Sequence, residues 1–270
     1  MIGMARTVMI VALSLVFGTT LAASRSVYIE DLTWPEVRDA VAAGKSGAII
    51  YTGSTEQNGP HMALGKHNFV AHYAAGRIAE ELGDALVYPT LPCAPTGNLT
   101  PKTNHMRFAG SITITPDVFK AVVMQVALSA ISAGFKNVYI MGDHGGGQDE
   151  LKQAAAELDG QQGVSGVHVY YIPDLYFKEK EQMRAYLTAN GIAVDVHAGT
   201  DDTSEIMFLD EARKWIRRDK LAASNSTQQA VTGVDGDPTK ATAAMGRMFL
   251  DLKVRNAVAE IRRLRAGQER

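Results

Sequence analysis

The chain has 270 residues, 46% of them hydrophobic, and its 27 basic and 29 acidic side chains leave a formal net charge of -2. That balance provides no electrostatic footprint for nucleic acid or for an anionic lipid surface. The single cysteine, Cys93, excludes an intramolecular disulfide, so the core alone must hold the protein together.

Near the start, Arg6 precedes an apolar run from Val8 to Phe17, which leads to the small-residue exit Leu21-Ala22-Ala23-Ser24. This is the pattern of a secretory signal peptide over residues 1–23, cleaved after Ala22 or Ala23. Read instead as an uncleaved anchor, the apolar core is too short to span about 30 Å comfortably. Export without disulfides fits a bacterial periplasm better than a eukaryotic secretory route. A periplasmic or secreted protein is expected, free of the membrane once the signal is removed. Residues 24–270 are enough for one large α/β domain.

Trp34 to Ala43 reads as a helix, Gly47 to Thr52 as a buried strand, Asn68 to Leu82 as a helix and Ala85 to Pro89 as a strand. Ser111 to Thr115 reads as a short strand of β-branched alternation. Pro116, at a first helical position, then opens an apolar-periodic helix to Ala133, which Gly134 ends. Strand Asn137 to Met141, helix Gln148 to Leu158, strand Val167 to Ile172 and a helix through Lys178 to Ala189 follow. Ala222 to Pro238, rich in Ser, Asn, Thr, Gly and Asp, reads as a loop near the site mouth. From Thr239 to Arg265, apolar residues at near-helical spacing describe either a surface helix closing the domain or a subunit contact. Strands separated by helices in this order imply an α/β fold with a mostly parallel sheet and helices on both faces.

Five of the seven histidines, His61, His67, His105, His144 and His197, fall in glycine- or proline-marked loops beside acids and amides. Two of those loops leave apolar strands directly, and ligands of open parallel sheets gather at the carboxyl ends of strands. Rival motifs fail. Gly59 to Lys66 has the wrong glycine spacing for a phosphate-binding loop, and His67 stands where its Ser or Thr belongs. There is no Gly-x-Ser-x-Gly nucleophile elbow. Cys93 has no basic neighbour to lower its pKa and reads as a small buried hydrophobe.

Four blocks occur in order: Glu56-Gln57-Asn58-Gly59-Pro60-His61, Gly65-Lys66-His67, Gly142-Asp143-His144-Gly145-Gly146-Gly147, and His197-Ala198-Gly199 continuing to Asp202-Thr203-Ser204. With these, from about Gly47 to Met207, the chain resembles the creatininase (creatinine amidohydrolase) family. The resemblance implies a three-layer α/β/α sandwich and a metal-dependent amidohydrolase acting on cyclic amides or other C–N bonds, often as a homo-oligomer. It also implies that Glu56 and His144 are metal ligands. The family carries histidine where this chain has Asn58, aspartate where it has His67, and a further acid where it has Gly146.

A carboxylate can bridge two divalent ions, whereas a neutral imidazole presents one lone pair to one ion. With His67 in the bridging place, Glu56, His67 and His144 are expected to hold one ion as a two-histidine, one-carboxylate set. Zinc is expected, with manganese or iron as alternatives. Asp202 is a further ligand candidate and Asp143 a partner behind the ligands, though both also read as acceptors at helix starts. His197 matches the family position that binds substrate or shuttles a proton and is expected to be a general acid or base. His61 is expected near the reacting centre, either catalytic or orienting ligands, with Asn58 and His105 on the substrate side. The function expected is cleavage of a C–N bond in a small amide, lactam or cyclic amide by metal-activated water, with a small-molecule substrate. The alternative is a non-catalytic relative that only binds a small ligand, and metal content separates the two.

Overall fold

Four short parallel strands carry the architecture. The computed structural model describes residues 26–162 and 166–268; the expected signal peptide lies outside them. The strands β1 (Gly47–Thr52), β2 (Ala85–Val87), β3 (Asn137–Gly142) and β4 (His168–Tyr171) form one sheet in the order β2-β1-β3-β4. Every pairing is parallel. The helices are α1 (Trp34–Ala42), α2 (Lys66–Leu82), α3 (Pro116–Ser132), α4 (Gln148–Gln162), α5 (Phe177–Ala189), α6 (Thr200–Leu209), the single turn α7 (Gln229–Thr232) and α8 (Ala243–Gln268).

β1 is buried along its whole length because both sheet faces are covered. Ile49 and Tyr51 point to one face, where Ala71, Ala75 and Ile78 of α2 meet Val254, Val258 and Ile261 of α8. Ala48 and Ile50 point to the other, against Phe119 and Val123 of α3 and Leu151 and Leu158 of α4. Burying each large side chain contributes about 1.5–3 kcal/mol, and the strand alternation of period two sorts them between the layers. The result is the three-layer α/β/α sandwich.

Most elements coincide with the sequence reading, and three departures matter. Ser111 to Thr115 is extended but joins no ladder. Ile112 donates its N–H to Thr55 O at 2.9 Å and accepts from Thr96 Oγ1 at 2.7 Å, so the segment ties two loops together above the sheet. α6 is not legible in the sequence, because its first turn, Thr200 to Thr203, is polar throughout and buries the polar Thr200 and Thr203 instead of an apolar face. The loop from 222 to 238 contains the α7 turn. No helix among the described residues is long and apolar enough to cross a membrane.

The chain leaves β1 through α2 to β2 on one side of the sheet, and leaves β3 through α4 to β4 on the other. The β1/β3 pair is therefore the topological switch point, and the loops after these two strands open a crevice at their carboxyl ends.

Candidate metal centre

Glu56 lies four residues beyond β1 with its side chain 1% exposed, on a loop fixed by Glu56 N–H donating to Leu64 O at 3.0 Å. Four imidazoles face its carboxylate. Oε1 is 3.0 Å from His67 Nε2 and 3.9 Å from His197 Nδ1, and Oε2 is 2.7 Å from His144 Nε2 and 3.7 Å from His105 Nε2. Two triads share the glutamate: Glu56, His67 and His144, and Glu56, His105 and His197, with the donor atoms of each triad within 4.8 Å of one another.

These histidines come from four separate places. His67 sits in the first turn of α2, His144 two residues past β3, His105 on the 3-10 turn Asn104–Arg107, and His197 just before α6. Pairing of His197 with Asp235 through backbone hydrogen bonds of 3.1 and 3.0 Å anchors the last of them.

Behind the first triad runs a line of buried charge. His67 Nδ1 donates to Asp143 Oδ2 at 2.7 Å; Asp143 Oδ1 lies 3.0 Å from Lys253 Nζ and accepts from the Tyr51 hydroxyl at 3.3 Å. Lys253, on α8, also stands 3.7 Å from Glu179 Oε2. Burial alone would raise Glu56, but the charges and hydrogen bonds of His67 and His144 hold its carboxyl well below the usual range. Burial and Lys66 push His67 down, yet Glu56 and Asp143 prevail and leave it raised. Burial, reinforced by Lys66, lowers His197 to about 3, so its ring is neutral near pH 7.

The donor chemistry fits a divalent ion. With Nδ1 committed to Asp143, His67 holds Nε2 3.0 Å from Glu56 Oε1, where the charged ring donates a second hydrogen bond and a divalent ion would take the place of that proton. Donor atoms at that distance can share one ion, and a carboxylate behind a ligating histidine is the usual support for it. His144 Nδ1 lies against Gly146, 3.0 Å from its N–H and 3.1 Å from its carbonyl oxygen, which turns Nε2 on Glu56. At Gly146 a Cβ would meet Pro95 O at 2.1 Å, so the further acid the family carries has no room here.

Three sequence expectations need correction. Asp202 joins neither triad: its Oδ2 takes Lys66 Nζ at 2.7 Å and the Ala198 N–H at 2.7 Å, as the acid partner of a buried lysine. Asn58 is fully buried, its Nδ2 donating to Glu56 O and Ala63 O at 2.9 and 3.1 Å, so it shapes the loop rather than facing substrate. His61 is fully buried too, with Nε2 3.1 Å from Thr203 Oγ1, and burial lowers its ring to about 4; it pins the loop to α6 away from the reacting centre. Cys93 is half-buried, and burial pushes its thiol up.

Lys66, Lys253, Glu179 and Gln57 escaped the sequence reading. Lys253 had left a signal: with Leu250, Val254 and Ala257 it occupies the buried stripe of α8 at helical spacing, where a lysine needs an acid. The triads line a cavity of about 220 Å3. An uncharged groove of about 940 Å3, walled by Leu99, Ile114, Thr115 and Pro116, reaches it at His105 and His144.

A carboxylate ringed by imidazoles at the switch point of a parallel sheet is the architecture of a metal-assisted hydrolase. The family model described as creatinine amidohydrolase matches residues 30–261, and the chain belongs to the creatininase family. It is 26% identical over 258 residues to the mycofactocin precursor peptide peptidase of Mycobacterium ulcerans (strain Agy99), covering 88% of each chain. To the creatinine amidohydrolase of Pseudomonas putida it is 28% identical over 122 residues, 45% of this chain and 46% of that one. A crystal structure of creatinine amidohydrolase superposes with a TM-score of 0.74 at 20% identity, over 91% of this chain and 98% of that one. A manganese creatininase gives 0.74 at 19% identity, over 88% and 98%.

Proposed function

We propose that this protein is an exported hydrolase that cleaves an amide C–N bond with one divalent ion, zinc on the donor set, held by Glu56, His67 and His144. The observation that carries the reading is the convergence of one buried carboxylate and two ring nitrogens, those of Glu56, His67 and His144, within 4.8 Å of one another, with His67 Nδ1 already committed to Asp143. When bound, the ion supplies Lewis acidity to the scissile carbonyl and lowers the pKa of the attacking water. Asp143 fixes the tautomer and orientation of His67, and Lys253 keeps Asp143 ionised. His197 donates Nε2–H to Gln57 O at 2.9 Å, which leaves Nδ1 as the lone pair facing the centre. Nδ1 is placed to take the proton of the nucleophile and return it to the leaving nitrogen.

The small cavity suits a compact amide, lactam or cyclic amide. The uncharged groove favours a second substrate class, short peptides cut at an amide bond, and the relatives named as precursor peptide peptidases support it. The signal-peptide pattern supports release into a periplasm, and the likeness to creatininases supports a homo-oligomer. Elemental analysis of protein purified without chelator is expected to find about one equivalent of divalent ion. A screen of amides, lactams and short peptides with that protein is expected to yield a cleaved product. Metal-free protein that still binds ligand would overturn the reading in favour of a non-catalytic binding relative.

A further inference from the structure

Gln57 is 5% exposed, and each of its four polar groups has a partner. Its N–H donates to Ser111 Oγ at 3.0 Å, and its carbonyl accepts from His197 Nε2 at 2.9 Å. Its side-chain Oε1 accepts from the Gly59 N–H at 3.0 Å, and its Nε2 lies 3.2 Å from His105 Nδ1. The Gly59 backbone can only donate, so it fixes which end of the amide is oxygen. The amide NH2 is then the group facing His105, and since NH2 can only donate, His105 Nδ1 must be the lone pair. The single proton of the neutral ring stays on Nε2, the atom 3.7 Å from Glu56 Oε2. On His197 the same residue acts through its backbone. A carbonyl can only accept, so the proton is on Nε2 and the lone pair is on Nδ1.

We propose that Gln57 is the positioning residue that sets opposite roles on the two histidines beside the metal triad, His105 presenting Nε2–H as a donor and His197 presenting Nδ1 as an acceptor. This rests on the reading of the site as one for metal-assisted amide cleavage. The second triad, Glu56, His105 and His197, is thereby a donor and acceptor pair rather than a second ion site, because a protonated Nε2 cannot ligate. His105 lies at the junction of groove and cavity and meets a carbonyl oxygen arriving from the groove, while His197 handles the proton of the nucleophile. The amide is held in place from behind: a Cβ at Gly233 would meet Gln57 Oε1 at 2.0 Å, so only glycine lets the loop after α7 close on it.

The test is the proton pattern of the two rings, read by long-range 1H–15N correlation on zinc-loaded protein with labelled histidine at neutral pH. Wild type is expected to show His105 and His197 both protonated at Nε2 and bare at Nδ1. A proton on His105 Nδ1, or a zinc-ligated His105 Nε2, would overturn the proposal. Gln57→Glu keeps an acceptor for Gly59 but turns a carboxylate on His105, so a proton is expected to appear on His105 Nδ1 with His197 unchanged. A bare Nδ1 in that variant would overturn it as well. For any substrate found, kcat is expected to fall roughly 100-fold with KM little changed, the effect of losing one aligned donor to a developing oxyanion. The spectrum reports the tautomers without any substrate, so failure of the assigned reaction and failure of this inference are separate results.

Discussion

His67 donates Nδ1–H to Asp143 at 2.7 Å, and the acid it uses is the same one that neutralises Lys253, which is 4% exposed on α8. One carboxylate therefore serves both the candidate centre and the core. Asp143→Asn is expected to lower metal affinity about 10–100-fold and to destabilise the fold by about 3–5 kcal/mol, the effect of leaving a buried charge unpaired. Urea denaturation checks the second part, and adding Lys253→Met is expected to restore most of the stability. A single variant within about 0.5 kcal/mol of wild type would show that Lys253 is satisfied elsewhere.

Glu56→Gln and His144→Ala are each expected to abolish metal retention while leaving the circular dichroism spectrum unchanged, since both side chains sit on loops beyond strand ends. Full occupancy in either variant refutes the ligand set. In crystals of wild type, anomalous scattering is expected to show one peak contacting His67. Two peaks about 3.5 Å apart, the spacing of two-metal sites, would end the single-ion assignment.

Asp202→Asn separates the ligands from the acid that the structure pairs with Lys66, a lysine 2% exposed. Metal content is expected to stay at the wild-type value while the urea midpoint falls, by about 3 kcal/mol in stability if Lys66 stays charged. Loss of the ion with stability intact is the opposite outcome and would return Asp202 to the coordination sphere.

Burial raises Glu179 from its ordinary 4.5 to about 8, against the lowering by Lys253. Between those values the folded protein holds a proton that the unfolded chain has released. The contribution of Glu179 to stability is therefore complete below about pH 4.5 and is lost as pH rises through about 8. Glu179→Gln removes this dependence. Its urea midpoint is expected to decline less than that of wild type between pH 5 and pH 9, and parallel declines would show that Glu179 is ionised throughout.

The layers and the residues that gather at the candidate centre were written in the sequence. The apolar runs of β1 and β3 are buried on both faces, and the glycine- and histidine-bearing loops that follow them stand out because nothing else in an α/β chain needs imidazole at strand ends. Glu56, His67 and His144 were legible for that reason. Tertiary structure alone decided what each remaining polar residue does. Asp202, Asn58 and His61 sit in the same motifs, yet their partners are Lys66, two loop carbonyls and Thr203, and pairings across 136 or 142 positions leave no local pattern. Lys253 reaches the site from α8 because the helix packs on the sheet face below Tyr51, and Gln57 gained its role only when Gly59, His105 and His197 closed around it. Local chemistry and periodicity are written along the chain, whereas the direction of a hydrogen bond depends on which group folding brings to the other end.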